Sequence, residues 1–140
     1  MRSRALTLLA FGVGLMVTAL PVAAHHSFAA EFDAAQPITI RGKVTKISWT
    51  NPHVWVYLNV PDEKTGKVEN WGFEMGAPQQ VRARGWDRDT LKTGDELIVE
   101  GSRARDGSSR MNARNVTWAA TGKKLGAASS EGATAGVGIP

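Results

Sequence analysis

Thr50-Asn51-Pro52-His53-Val54-Trp55-Val56-Tyr57-Leu58 is the stretch on which the fold turns. Asn51-Pro52 is a turn signal, since the residue before a proline is held away from helix. A strict two-residue alternation starts immediately afterwards. Val54, Val56, Leu58 and Val60 take one face of a strand, and His53, Trp55, Tyr57 and Asn59 take the other. A face turned to water ordinarily carries Lys, Glu and Thr. This one carries an imidazole, an indole and a phenol, which reads as a binding surface with Asn51, His53, Trp55 and Tyr57 as its candidate residues.

Working outward, the preceding segment from Ile38 to Trp49 is a long first strand. Ile38, Ile40, Gly42 and Val44 share a face, and then the phase slips, because Ile47 and Trp49 are apolar at odd positions. A bulge near Thr45-Lys46 restores one apolar face and bends the strand, and Gly42 in mid-strand points to the same coiling. After His53 to Val60 comes a hairpin loop, Pro61 to Gly66, and a third strand, Val68 to Met75, with Trp71, Phe73 and Met75 facing inward. Gly76 to Gly85 has proline near its start and glycine at its end, the asymmetry of a short helix, with Trp86 placed to close it. Glu96 to Gly101 is a fourth strand, Asp106-Gly107 a hairpin turn, and Met111 to Trp118 a fifth strand.

Three strands, one short helix and two more strands, led by a bent first strand that serves both halves, define the expected fold. It is all-β: a small five-stranded OB-like Greek-key barrel with one short helix between strands three and four, over residues 37–125. A plain sandwich or an up-and-down barrel competes, and the lone helix in that slot tells against both. Residues 25–36 read as an arm, with Phe28 and Phe32 spaced for one helical turn or an extended strap, and with Pro37 ending it. Residues 126–140, rich in Gly, Ala, Ser and Thr, read as a disordered tail.

The chain opens Met-Arg-Ser-Arg, continues apolar from Ala5 to Leu20, and reaches Val22 and Ala24 at the −3 and −1 positions of a cleavage pattern. Residues 1–24 thus read as a cleavable signal peptide, short for a membrane span, with an uncleaved anchor as the alternative, and the expected address is periplasmic. No cysteine is present, which excludes disulfides and lipoprotein attachment. Losing Arg2 and Arg4 leaves 15 basic against 13 acidic side chains, so the mature charge is slight and nucleic acid is not an expected partner.

All three histidines fall in two places, His25-His26 at the expected mature terminus and His53 at the Asn-Pro-His turn. Cleavage after Ala24 would give His25 a free amine that chelates together with its own imidazole. A second imidazole, from His26 or His53, would complete a nitrogen donor set suited to Cu(II). Copper is the one cofactor these residues suggest, with Met75 and Met111 the available soft donors, although their spacing does not support that use. The plainer alternative makes the double histidine a hydrophilic start and His53 a turn hydrogen bonder. No nucleophile elbow, cysteine nucleophile, phosphate loop or carboxylate pair beside a histidine is visible, so the chain is not expected to be an enzyme. Glu74, Asp87 and Asp89 read as solvated charges. Two arginine groups, Arg82/Arg84/Arg88 and Arg103/Arg105/Arg110, read as charged barrel loops. Trp49, Trp71 and Trp118 read as core.

His25-His26-Ser27-Phe28, Arg41-Gly42-Lys43-Val44, Asn51-Pro52-His53, Gly85-Trp86 and Asp106-Gly107 together give a pattern. On these motifs the mature chain, from His25 to about Leu125, resembles a family of small exported bacterial proteins with a single domain of unknown function. The resemblance implies a location and a barrel, and no activity.

Three functional readings follow. The first is a non-catalytic periplasmic binding or accessory module, a monomer engaging a small ligand or an envelope protein. The second is a copper-binding protein using His25 with His26 or His53. The third is an interaction domain whose aromatic face docks another envelope protein. The arm decides how open that face is, because Phe28 and Phe32 could pack on Trp55 and Tyr57 and cover it.

Overall fold

The computed structural model describes residues 28–129 and Gly132. In chain order the elements are α1 (Phe28–Glu31), β1 (Phe32–Ser48), β2 (Trp55–Pro61), β3 (Val68–Glu74), α2 (Pro78–Arg82), β4 (Glu96–Ala104), β5 (Arg110–Trp118) and β6 (Lys124–Gly126). The sheet runs β3-β2-β1-β4-β5-β6, and a parallel β3–β5 pairing, Gly72 to Arg110 through Glu74 to Asn112, closes it into a barrel. That strand order, with α2 between β3 and β4, is the OB-type Greek-key barrel.

Alternation along each strand builds the core. Val54, Val56, Leu58, Phe73, Met75, Val81, Leu97, Val99, Met111 and Val116 are fully enclosed. The bend in β1 falls where its hydrophobic phase slips, since the β1–β2 register jumps between Val44 and Lys46. The extra residue, Thr45, donates its hydroxyl to the Tyr57 carbonyl across the bulge. Barrel curvature also needs bare backbone. A methyl group at Gly42 would collide with the Asn59 carbonyl, and one at Gly101 with the Asn112 carbonyl. Gly85, with φ of +94°, ends the α2 turn, and the Trp86 N–H behind it donates to the Val81 carbonyl at 3.2 Å. The Trp86 ring stacks on Trp118 at 5.4 Å. Trp71 is buried, while Trp49 and Trp118 are partly buried against the same core.

Three expectations are corrected. Strand one begins at Phe32 rather than Ile38, so Pro37 lies within it and does not end an arm. Proline lacks an N–H, and pairing with β4 skips from Asp33–Arg103 to Pro37–Ser102 instead of stopping. Asp33 holds the looped-out residues by accepting from the Ala35 N–H at 3.1 Å and the Gln36 amide at 3.1 Å. The fourth strand likewise runs on to Ala104.

The third correction concerns the region assigned to a tail from 126 onward. Lys124–Gly126 is a sixth strand on β5, and Ala127, Ala128 and Ser129 are buried. β3 and β5 diverge past Glu74, and Ala127 bridges the gap, its N–H donating to Arg114 and its carbonyl accepting from Gly76, each at 2.9 Å. Arg84 closes on the Ala128 carbonyl. The assigned signal peptide, the start of the arm and most of the assigned tail lie outside the described residues.

Candidate functional site

β2 turns its side chains as the alternation predicts. Val54, Val56 and Leu58 are enclosed, whereas His53, Trp55 and Tyr57 are partly exposed on the outer surface and Asn51 and Asn59 are exposed. The Asn51–Pro52 peptide is cis. Opposite them on β3, Glu74 pairs with Trp55, Gly72 with Tyr57 and Asn70 with Asn59.

The central contact joins His53 to Glu74. The imidazole Nδ1 lies 2.9 Å from Glu74 Oε1, with the histidine side chain 29% exposed and the glutamate 8%. Asn112, wholly buried on β5, donates its amide to the same oxygen at 3.4 Å. Barrel closure brings these three together, because β5 runs parallel to β3 with Asn112 level with Glu74. A carboxylate accepting from Nδ1–H fixes the ring's orientation and tautomer, so Nε2 carries the lone pair in the neutral imidazole.

Glu74, which the sequence places among the solvated charges, is instead buried and engaged. Asn112 was missed altogether. Glu74's position between Phe73 and Met75, close to a strand end, was the available signal, but its partners lie 21 and 38 residues away in sequence. Alternation says which face a side chain takes, and burial of that face depends on neighbours from distant strands.

Beside this pair, Trp55 and Tyr57 lie nearly parallel, their ring centroids 6.5 Å apart and their planes 24° apart. Both rings rest along Gly72, where an added methyl would meet Tyr57 at 3.3 Å and Trp55 at 3.6 Å. Lys46 places its ammonium 5.5 Å from the centre of the Tyr57 ring. Asn70 gathers the far end, donating to Asn59 Oδ1 at 3.0 Å and to Thr45 Oγ1 at 3.3 Å.

The arm question has a divided answer. Phe28 of α1 and Phe32 at the start of β1 lie 5.8 Å apart with their rings tilted, and with Ala104 they form a second small cluster against which Trp55 packs. Tyr57 is not part of that cluster. Arg105 anchors this turn by donating its Nε to the Ala29 carbonyl at 2.8 Å and its backbone N–H to the Glu31 carbonyl at 2.9 Å.

His25 and His26 lie outside the described residues, and among the described residues no group of three or more His, Cys, Asp or Glu side chains is placed to hold a metal. Met75 and Met111 are wholly inside the core, which removes them as donors to the outer face. The arginine groups are spread over several contacts. Arg82 lies over Trp49, Arg103 lies over Trp71, Arg105 reaches Asp33 at 3.5 Å and Arg110 pairs with Asp106 at 2.9 Å. No described helix is long and apolar enough to cross a membrane.

Fold and site define an OB-type barrel whose second strand displays a carboxylate-held histidine beside two aromatic rings. The chain belongs to a family of unknown function (DUF6152), whose model matches residues 13–113. No curated protein matches it. Among solved structures, the mitochondrial single-stranded DNA binding protein from S. cerevisiae is similar at a TM-score of 0.47 and 9% identity. That alignment covers 60% of this chain and 93% of the other.

Proposed function

We propose that this protein is a non-catalytic binding or accessory module of the cell envelope. It is exported with residues 1–24 removed and works as a monomer. It engages a small ligand or an envelope protein through the outer face of β2. The observation that carries this is the His53–Glu74 contact at 2.9 Å, next to the near-parallel Trp55–Tyr57 pair on a partly exposed face. A buried carboxylate spent on orienting one surface imidazole, with flat apolar rings alongside, suits recognition. Nucleic acid is a poor match for a nearly balanced mature charge.

Site-specific photo-crosslinking in cells tests this reading, with the reactive side chain placed at Tyr57 and, as a control, at exposed Lys64 in the β2–β3 loop. A discrete adduct at position 57 absent from position 64 supports it. A protein-sized adduct selects the docking version, and a small mass increment selects the ligand version. Identical products at both positions, or none at 57, refute it. N-terminal sequencing of the periplasmic fraction tests the export step, with His25 as the expected first residue.

A further inference from the structure

The face that carries Trp55 and Tyr57 extends over three strands, and its polar residues narrow the chemistry of what it holds. Lys46 of β1, Tyr57 of β2 and Gly72 of β3 form one row across the sheet, and Asn59 and Asn70 are paired beside it. Gly72 is buried with the edges of both rings close against it, so no side chain separates them from the sheet. The two asparagines share their hydrogen bonds unequally. Asn70 Nδ2 donates to Asn59 Oδ1 at 3.0 Å, and to Thr45 Oγ1 and the Leu58 carbonyl at 3.3 Å each. That leaves Asn70 Oδ1 to accept and Asn59 Nδ2 to donate, on adjoining amides that are both exposed. A hydroxyl group does both, whereas a phosphate dianion only accepts and an apolar partner surface does neither. Lys46 supplies the charge. It is exposed, its ammonium lies 5.5 Å from the centre of the Tyr57 ring, and among the described residues it forms no ion pair. Glu74, the carboxylate on this face of β3, is buried against His53 and does not oppose it.

We infer that this face binds an acidic saccharide. A sugar ring stacks on Tyr57 beside Trp55, its hydroxyls meet Asn59 and Asn70, and its carboxylate meets Lys46. The inference rests on the β2-face reading and names its ligand class. A pyranose ring has an apolar C–H face and a rim of hydroxyls, so it needs flat apolar rings and a donor–acceptor pair within one ring's reach. Both are present, the rings 24° from parallel with centroids 6.5 Å apart. The cluster of Phe28, Phe32 and Ala104 packs against Trp55 and steadies that indole, while Tyr57 stands outside the cluster. An unpaired ammonium at the edge of the rings favours a sugar that carries a carboxylate over a neutral one, because the hydrogen bond formed is charge-assisted.

The test screens the full chain, purified after expression with its signal, against immobilised oligosaccharides. Uronic acid oligomers and muramic acid fragments of peptidoglycan are set beside neutral glucose and N-acetylglucosamine oligomers, and the best-bound probe is then titrated by calorimetry. Acidic probes should bind and neutral ones bind more weakly. Lys46→Met should cost about tenfold for the acidic probe, the scale of a lost hydrogen bond to a charged group, and should abolish the preference over neutral probes. Tyr57→Ala should weaken both kinds of probe by roughly tenfold. Asn59→Asp keeps the oxygen that Asn70 uses and removes only the remaining donor, so its loss of binding cannot be blamed on unfolding. Gly72→Ala keeps every contacting side chain but sets a methyl 3.3 Å from Tyr57, and it should weaken binding as well. A screen in which no saccharide binds overturns the inference. So does binding that survives both Tyr57→Ala and Asn59→Asp, which is ion exchange at the surface, and so does equal binding of acidic and neutral probes. A failed screen beside a discrete crosslinked adduct at position 57 removes the saccharide and keeps the β2 face. Failure of both removes the face itself.

Discussion

Glu74 of β3 stands directly across the ladder from Trp55, yet its carboxylate accepts from the ring of His53, two residues earlier. The glutamate is almost wholly buried and the histidine partly exposed, so the negative end of the pair lies inside and the imidazole meets solvent. Asn112 completes the contact from β5, and the three side chains meet because the barrel closes through β3 and β5.

Replacing Glu74 with alanine leaves the buried Asn112 amide without its acceptor and the His53 ring without its tether. A loss of about 1–3 kcal/mol in folding stability is expected, the scale of one orphaned buried polar group. Urea denaturation measures it. Long-range nitrogen–proton spectra of His53 should also lose their fixed-tautomer signature, and a ring that keeps that signature would show the carboxylate is not what holds it.

Gly101 faces the Asn112 carbonyl so closely that a methyl group cannot be fitted without moving backbone. The Gly101→Ala variant should lose about 3 kcal/mol, at the upper end of overpacking costs, since neither strand can yield as a side-chain tip could. Gly107, with φ of +75° and open space around it, gives a contrast in which the penalty arises from backbone conformation alone. Thermal melting of the two alanine variants should rank Gly101→Ala as the less stable.

Acid should weaken the β4–β5 hairpin. Asp106 is held down to about 2 by the Ser108 hydroxyl, then by the Ser108 N–H and by Arg110. A carboxyl whose folded value lies below its unfolded value stabilises the fold above the unfolded value and loses that contribution as pH falls. The window therefore runs from about pH 4 down to about 2. Asp33, Asp62, Asp87 and Glu96 are lowered as well and act in the same direction. Stability measured from pH 5 to pH 2 should fall less steeply in Asp106→Asn than in the native chain. Parallel curves would contradict the assignment.

Ending the chain at Gly126 removes Ala127, whose two backbone hydrogen bonds span the slot between Arg114 and Gly76. At about 1 kcal/mol for each bond, the melting temperature should drop by roughly 10 °C. Amide exchange should speed up at Gly76, the donor that loses its acceptor. A truncated chain that melts with the native one would return residues 127–129 to the status of a tail.

Replacing Phe28 with alanine removes one wall of the cluster that packs on Trp55. Acrylamide quenching of tryptophan emission should rise. The increase should vanish in a Trp55→Phe background, because Trp71 and Trp86 stay buried elsewhere in the barrel.

The strands, the bulge, the short helix and the outward face of β2 were legible in the sequence because each rests on local physics. Side chains on a strand alternate, an extra residue reverses the phase between Val44 and Lys46, and proline and glycine mark the ends of a helix. His53, Trp55 and Tyr57 were visible on that basis alone. The tertiary structure decided what lies beneath and beside them. Glu74 became a buried partner only when β5 arrived alongside β3, and Ala127 to Ser129 became buried only because Ala127 bonds the backbone at both Arg114 and Gly76. The N-terminal turn was directed onto Trp55 by Arg105, 76 residues from the Ala29 carbonyl it holds. Periodicity reports how a residue is oriented within its own segment. Which distant segment meets it is fixed by closure of the sheet, and nothing local in the chain encodes that.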